Sequence, residues 1–320
     1  MTSSVDPAHV KVVALGGGHG LAASLQALKQ VTDELTAIVT VADDGGSSGR
    51  LRQELGMIPP GDLRMALAAL AGDDSWSRRW TDLLQHRFDG DGPLSGHAVG
   101  NLILAGLTES GTMVEALDLV GRLVGARGRV LPASTTPLEI VAEVVGLDPA
   151  DRSAVTRVVG QVAVATTTGD VCAVHLLPEN PPACPEAVQA VLDADVVVLG
   201  PGSWLTSVIT HLLVPDLGDA LVKTPATKVV ALNLAPQQGE TEGYSPETHL
   251  EVLSAHAPEL SIDVVVADEE RVLDRRGLID AVESAGGRLV LAPVSLGDGT
   301  PRHDPDRLAA VYRDIMSGSA

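Results

Sequence analysis

Twice in this chain an apolar run passes through a glycine-rich turn into a helical pattern, and no other feature restricts the fold as much. The first passage is the run 10–15, then Gly16-Gly17-Gly18-His19-Gly20, then 21–25. The second is the run 195–199, then Gly200-Pro201-Gly202-Ser203, then 204–208. A short aliphatic run bounded by glycine reads as a strand of a parallel sheet, buried on both faces. A helix that starts directly after such a strand presents unpaired N–H groups and a partial positive charge, so it can hold a phosphate. Glycine lets the backbone approach that ligand with no Cβ between them. Two such turns imply a nucleotide-type ligand held between two halves of one sheet.

The rest of the chain alternates in the same sense. Residues 35–41 are rich in β-branched side chains and read as a second strand, so the chain opens β–α–β with a right-handed crossover. After Pro59-Pro60 the segments 62–71, 76–85, 97–108 and 113–124 carry apolar residues at the helical period, a helical block over about 61–125. Within about 129–176 the runs 139–145, 158–166 and 171–176 read as short strands, with Gly169-Asp170 as a hairpin signal between the last two. Helices over 185–192, 246–256, 277–285 and 306–316 then alternate with strands over 228–234, 262–267 and 288–291. The pattern predicts an α/β fold: a Rossmann-like, doubly wound, mainly parallel sheet with a helical block and a small antiparallel excursion, in a single domain over 1–320.

Charge narrows how a phosphate can be held. The 320 residues carry 22 basic and 42 acidic side chains, a net charge of −20. That balance lacks the basic footprint of a nucleic-acid binder and is repelled by an anionic membrane. Backbone donors and a few local cations must do the work instead. Cys172 and Cys184 form neither a metal pattern nor a disulfide framework, as suits a reducing compartment. The polar segment 1–9 and the lack of a signal or spanning run point to a cytoplasmic protein without membrane insertion.

The chemistry-bearing residues cluster at predicted strand ends. Gly16-x-Gly18-x-x-Leu21 lacks the third glycine of the dinucleotide fingerprint, which weakens an NAD site. Gly17, Gly18 and Gly20 remain candidates for phosphate contact, and His19 either faces that phosphate or is a solvated loop residue. Asp43-Asp44-Gly45-Gly46-Ser47-Ser48-Gly49-Arg50 ends the second strand, at the carboxyl edge where open α/β sheets bind ligands. The paired carboxylates could grip ribose hydroxyls or a hard cation such as Mg²⁺, and Ser47 with its neighbouring amides could form a nest. Pro60-Gly61-Asp62-Leu63-Arg64 reads as a helix start capped by Asp62, with Arg64 either on a phosphate or in a surface salt bridge. His97 and Asn101, four apart, would share a helix face and line a pocket. Gly202 and Ser203 open the second helix. The polar loop 236–244 after Asn233 carries Thr241 and Tyr244 and could read a sugar or a base edge; Arg271 adds a cation after the next strand. No Gly-x-Ser-x-Gly or His-Glu-x-x-His pattern is present, so no catalytic residue or resident metal is assigned and binding is clearer than turnover.

Gly16-Gly17-Gly18-His19-Gly20, Asp43-Asp44-Gly45-Gly46-Ser47-Ser48-Gly49, Pro60-Gly61-Asp62-Leu63-Arg64, Gly96-His97 with Gly100-Asn101, Gly200-Pro201-Gly202-Ser203, and Asn233 with Gly239-Glu240-Thr241 and Tyr244 together resemble the bacterial gluconeogenesis factor family, called YvcK-like. The wider superfamily includes 2-phospho-L-lactate transferase, CofD. The resemblance implies a Rossmann-like fold that binds a UDP-sugar, chiefly UDP-N-acetylglucosamine, with no required cofactor. It implies a role in cell shape and in peptidoglycan precursor supply during growth on gluconeogenic carbon. Glucosamine-6-phosphate synthase as a regulated partner and phosphorylation by a serine/threonine kinase are implied for some members. By match, the first glycine turn, Asp43, Asp44, Ser203, Asn233, Thr241 and Tyr244 become ligand contacts. Two departures from the family pattern are Met65, where Asn is expected, and Ala267-Asp268, where Asn-Asn is expected; the second sets Arg271 apart.

Two rival functions follow from the same residues. A phospholactate-type transferase would use Asp43 and Asp44 to hold Mg²⁺ against a leaving nucleotide diphosphate. An NAD-binding oxidoreductase is the other, disfavoured by the broken fingerprint. The residues leave self-association into a homo-oligomer open.

Overall fold

The computed structural model describes residues 6–237 and 239–318. Residues 1–5 of the polar N-terminal segment and Gln238 of the loop 236–244 lie outside them. The strands are β1 (Val12–Gly16), β2 (Leu35–Val39), β3 (Arg129–Pro132), β4 (Glu139–Val145), β5 (Thr156–Val159), β6 (Asp170–Leu177), β7 (Val196–Leu199), β8 (Thr227–Ala231), β9 (Val264–Asp268) and β10 (Arg288–Ala292). A parallel seven-stranded sheet runs in the order β10-β9-β8-β7-β1-β2-β3. Its central strands are buried throughout, which is why they read as unbroken apolar runs. Helix Gly18–Leu28 packs on Gly61–Leu70 and Pro305–Ser317, and Pro185–Leu192 packs on Pro215–Lys223.

The strand order decides where a ligand can bind. The chain builds outward from β1 through β2 to β3, returns to the other side of β1 at β7, and then builds outward to β10. β1 and β7 are neighbours in register, Val12 opposite Val196 and Leu15 opposite Leu199. The connections leaving their carboxyl ends diverge, and such a switch point opens a crevice in a doubly wound sheet. Both glycine turns leave the sheet there.

Several local expectations are corrected. Residues 129–132 belong to the main sheet, beside β2. The antiparallel excursion is β5-β4-β6, so β5 and β6 flank β4 instead of forming a hairpin at Gly169-Asp170. The run 158–166 is strand only over 158–159, the end of β5: it breaks at Gly160, with φ +102°, and continues as the helix Gln161–Ala165. Asp44 Oδ1 accepts from Val162 N–H at 3.0 Å and so holds the start of that helix, a contact across 118 residues that no local pattern contains. Residues 46–55, to which the local pattern assigns no element, form the helix Gly46–Leu55, stopped by left-handed Gly56. The helix expected from His97 begins at Val99, and Pro60, not Asp62, takes the cap position of Gly61–Leu70. Among the described residues no single helix is long and apolar enough to cross a membrane.

Candidate functional site

The two glycine turns touch each other. A Cβ on Gly20 would fall inside the Pro201 carbonyl and against Gly202, so only glycine permits this approach. Gly18 adopts φ +56°, which ordinary side chains disfavour. Asn233, two residues beyond β8, clamps the second turn from both sides. Its Oδ1 accepts from Gly202 N–H at 2.9 Å and its Nδ2 donates to the Gly202 carbonyl at 2.8 Å. Beneath, Ser24 Oγ donates to the Gly200 carbonyl at 2.9 Å and meets the buried Tyr312 hydroxyl at 2.9 Å. Alongside the turns lies a crevice of about 580 Å³ lined by His19, Gly20, Gly202, Asn233, Arg302 and His303, among others. Burial holds the His303 imidazole down to about 4, so it is neutral at physiological pH and the exposed Arg302 brings the positive charge. Sequence reasoning missed Arg302, because the turn-rich stretch 296–301 before it has no helical or strand period to mark it as a wall.

On the β2 side of β1 a buried polar chain joins four expected site residues. Arg64 Nε donates to Asn101 Oδ1 at 2.9 Å, Asn101 Nδ2 donates to Ser47 Oγ at 3.0 Å, and Ser47 Oγ meets His97 Nδ1 at 2.9 Å. All four are buried. His97 and Asn101 thus meet through Ser47 rather than along one helix face. Gly100 is small because the Arg64 stem crosses it: a Cβ there would lie 2.8 Å from Arg64 Cδ. Burial, with Arg87, lowers the Arg64 guanidinium to about 10, still charged at neutral pH, while Asp62 and Asp43 oppose the shift.

Asp62 is the residue that sequence reasoning placed in a different role. Its carboxylate lies against the first turn: a Cβ on Gly17 would lie 2.7 Å from Asp62 Oδ2. Burial first, and then the neighbouring Asp43, raise its pKa to about 7. The first turn therefore faces a carboxyl that can be protonated near neutral pH. No local signal could show this, because the packing of Gly61–Leu70 on Gly18–Leu28 sets the reach. Asp43 and Asp44 part company: Asp43 Oδ1 accepts from Gly45 N–H at 2.9 Å, whereas Asp44 turns to the helix Gln161–Ala165.

The second turn also meets a carboxylate. Glu240 Oε1 accepts from Leu205 N–H and Thr206 N–H, both at 2.7 Å, and Oε2 accepts from the Ser203 hydroxyl. The helix start at Trp204 is thus filled by the protein's own anion, with Ser203 committed to it, and burial raises the Glu240 carboxyl. Thr241 Oγ1 accepts from Gln237 N–H at 2.8 Å and shapes the loop. Tyr244, Asn233 and Arg271 line one smaller cavity beyond it. Among the described residues no three or more His, Cys, Asp or Glu side chains gather as a metal-binding cluster.

A family model described as 2-phospho-L-lactate transferase CofD matches residues 12–284. The chain belongs to the CofD family. Its relatives there include a gluconeogenesis-factor protein of Mycobacterium tuberculosis strain H37Rv, 53% identical over 311 residues, spanning 96% of this chain and 90% of the relative. The gluconeogenesis factor of Bacillus subtilis strain 168 is 39% identical over 321 residues, spanning 96% of this chain and 98% of the relative. A solved structure of a UPF0052-family protein from Bacillus halodurans superposes with TM-score 0.83 at 33% identity, over 94% of this chain and 98% of that one. These likenesses agree with the YvcK-like resemblance and with the α/β architecture.

Proposed function

We propose that this protein is a regulator of the gluconeogenesis-factor type that binds a UDP-sugar such as UDP-N-acetylglucosamine in the crevice at the β1/β7 switch point. One observation carries the reading: the two glycine turns touch there, beside a 580 Å³ crevice that gathers His19, Asn233 and Arg302. That volume suits a ligand of nucleotide-sugar size. Arg302 and backbone amides supply anion contacts in a chain that is otherwise acidic. Binding without turnover would let the protein report nucleotide-sugar supply to wall synthesis and cell shape. Glucosamine-6-phosphate synthase is its proposed partner, and a serine/threonine kinase its proposed modifier. Thermal unfolding with UDP-N-acetylglucosamine, UDP-glucose, GDP and NAD, each with and without Mg²⁺, tests this. Ligand at about 100 times its Kd stabilises by about 2.7 kcal/mol. A shift with UDP-sugars alone, reduced in Arg302→Ala, is the expected result; consumption of the sugar nucleotide by the pure protein counts against it.

A second reading, a nucleotide-dependent transferase of the phospholactate type, is favoured by the carboxylates of Asp43 and Asp62 near the first turn. Hard cations take carboxylate oxygens, so these two residues, rather than Asp43 with Asp44, are the pair that would hold Mg²⁺. The metal would offset charge on a nucleotide diphosphate. The largest thermal shift with GDP plus Mg²⁺ would put this reading first.

A further inference from the structure

Arg302 lines the crevice and is exposed, and among the described residues its guanidinium has neither a hydrogen bond nor an ion pair. Asp298, the acid of the same turn, feels Arg302 only at a distance and accepts from Thr300 N–H at 2.9 Å. A free arginine loses much rotamer freedom when an anion orders it. Such a side chain binds well only if its backbone is already fixed in the right place.

That backbone is fixed at the base of the turn. Leu296 N–H donates to the Arg302 carbonyl at 2.8 Å, and Asp304 N–H donates to the Val294 carbonyl at 2.9 Å. Between them Ser295 and His303 form an antiparallel bridge. The tip is different: Gly297 and Gly299 are left-handed, with φ +77° and +85°, and a Cβ on either would meet nothing within 4 Å.

Two side chains tie down the base. Arg307, in the last helix, donates from Nη1 to the Ser295 carbonyl at 3.0 Å. Asp268 holds it from the main sheet. This residue closes β9, is 3% exposed and gives both oxygens to backbone donors. Its Oδ1 accepts from Glu270 N–H at 3.0 Å and its Oδ2 from Ser295 N–H at 2.8 Å, a contact across 27 residues. A carboxylate can accept on both sides, whereas an amide has one acceptor oxygen. The Asn that the family pattern expects here would set its NH₂ against one of the two N–H donors. The departure at Asp268 therefore provides a double hold.

We propose that Asp268 is a positioning residue for Arg302: by holding Ser295 N–H it fixes the base of the turn 295–303, so that Arg302 meets a phosphate in the crevice from a set backbone. The proposal rests on the nucleotide-sugar reading of the crevice and adds the residue that orients its cation. Titration calorimetry of the full chain with UDP-N-acetylglucosamine tests it in the wild type, Arg302→Ala, Asp268→Ala, their double variant and Asp268→Asn. Arg302→Ala should weaken binding about tenfold, the worth of one charged hydrogen bond, and Asp268→Ala about fivefold. In the double variant the Asp268 change should add no further loss, because the cation it serves is gone; a residue that only stabilises the fold would add its own loss in either background. Asp268→Asn, which keeps one acceptor, should lose less than Asp268→Ala, and an equal loss would refute the double hold. Losses that multiply in the double variant, or no loss in Asp268→Ala, would overturn the proposal while leaving the crevice reading intact. Failure of the wild type to bind any UDP-sugar would overturn both. If the Asp268 variants do not fold, hydrogen exchange of the wild type decides. The Ser295 and Leu296 amides should exchange slowly throughout, while those of 297–299 exchange fast and slow down with UDP-N-acetylglucosamine. A Ser295 amide as fast as the tip, or a tip that UDP-N-acetylglucosamine leaves unchanged, refutes the proposal.

Discussion

Replacing Asp62 by Asn should make the protein more stable, by an amount that grows as pH rises from about 4 and is complete above about 7. The native carboxyl titrates at about 7 instead of the ordinary 3.8, because it is buried and faces Asp43. Below the lower value the acid is protonated in both states and contributes nothing to the pH dependence. Between the two values the unfolded chain ionises while the native chain keeps its proton, so stability falls as pH rises. Above about 7 the whole penalty is present. The gap between 3.8 and about 7 corresponds to about 4 kcal/mol at the upper limit. The side chain is only partly buried by surface area, so solvent screening brings the expectation to about 2–4 kcal/mol. Asn removes the repulsion with Asp43. Urea unfolding of wild type and Asp62→Asn across pH 4.5 to 8.5 measures it. The histidines whose pKa burial lowers, His97, His211, His249 and His303, are common to both proteins and cancel in the difference. A stability difference that stays constant across that range would refute the assignment of a strained carboxyl to the first glycine turn.

Other substitutions separate close packing from surface composition. Gly20→Ala should cost about 1–3 kcal/mol and lower the thermal midpoint, because its Cβ meets the Pro201 carbonyl. Gly106→Ala, with open space in the helix Val99–Thr108, should instead stabilise by up to about 1 kcal/mol. Asp44→Ala should cost about 1 kcal/mol and speed hydrogen exchange over 161–165, whereas Asp43→Ala should leave that segment protected. Arg64→Met should destabilise by about 1–3 kcal/mol in urea unfolding, since it strips the partner from buried Asn101 Oδ1.

The glycine turns, the parallel strands and most helices were legible because each has a local physical cause. A strand buried on both faces must be apolar along its length, as 12–15 and 196–199 are. Glycine must stand where φ is positive or backbones touch, as at Gly18 and Gly20. The segment 158–166 was misread because its valines suit a strand, while the carboxylate that supports its helix comes from Asp44. Arg302 was missed because it sits in no motif and reaches the crevice from the turn before the last helix.

Sequence alone determined the class of fold, the two helix starts suited to anions and the side chains clustered after the strands. The tertiary structure decided how those parts are shared out. It brought the two turns into contact, Gly20 against Pro201, tied Ser47, Arg64, His97 and Asn101 into one buried chain, and sent Asp44 away from Asp43. It also set Asp62 and Glu240 against the two turns. The physical reason is range. Hydrophobic period and glycine conformation act within a few residues, so they are written in the local sequence. Burial, carboxylate pairing and hydrogen-bond partnership depend on which distant segments the packed core brings together.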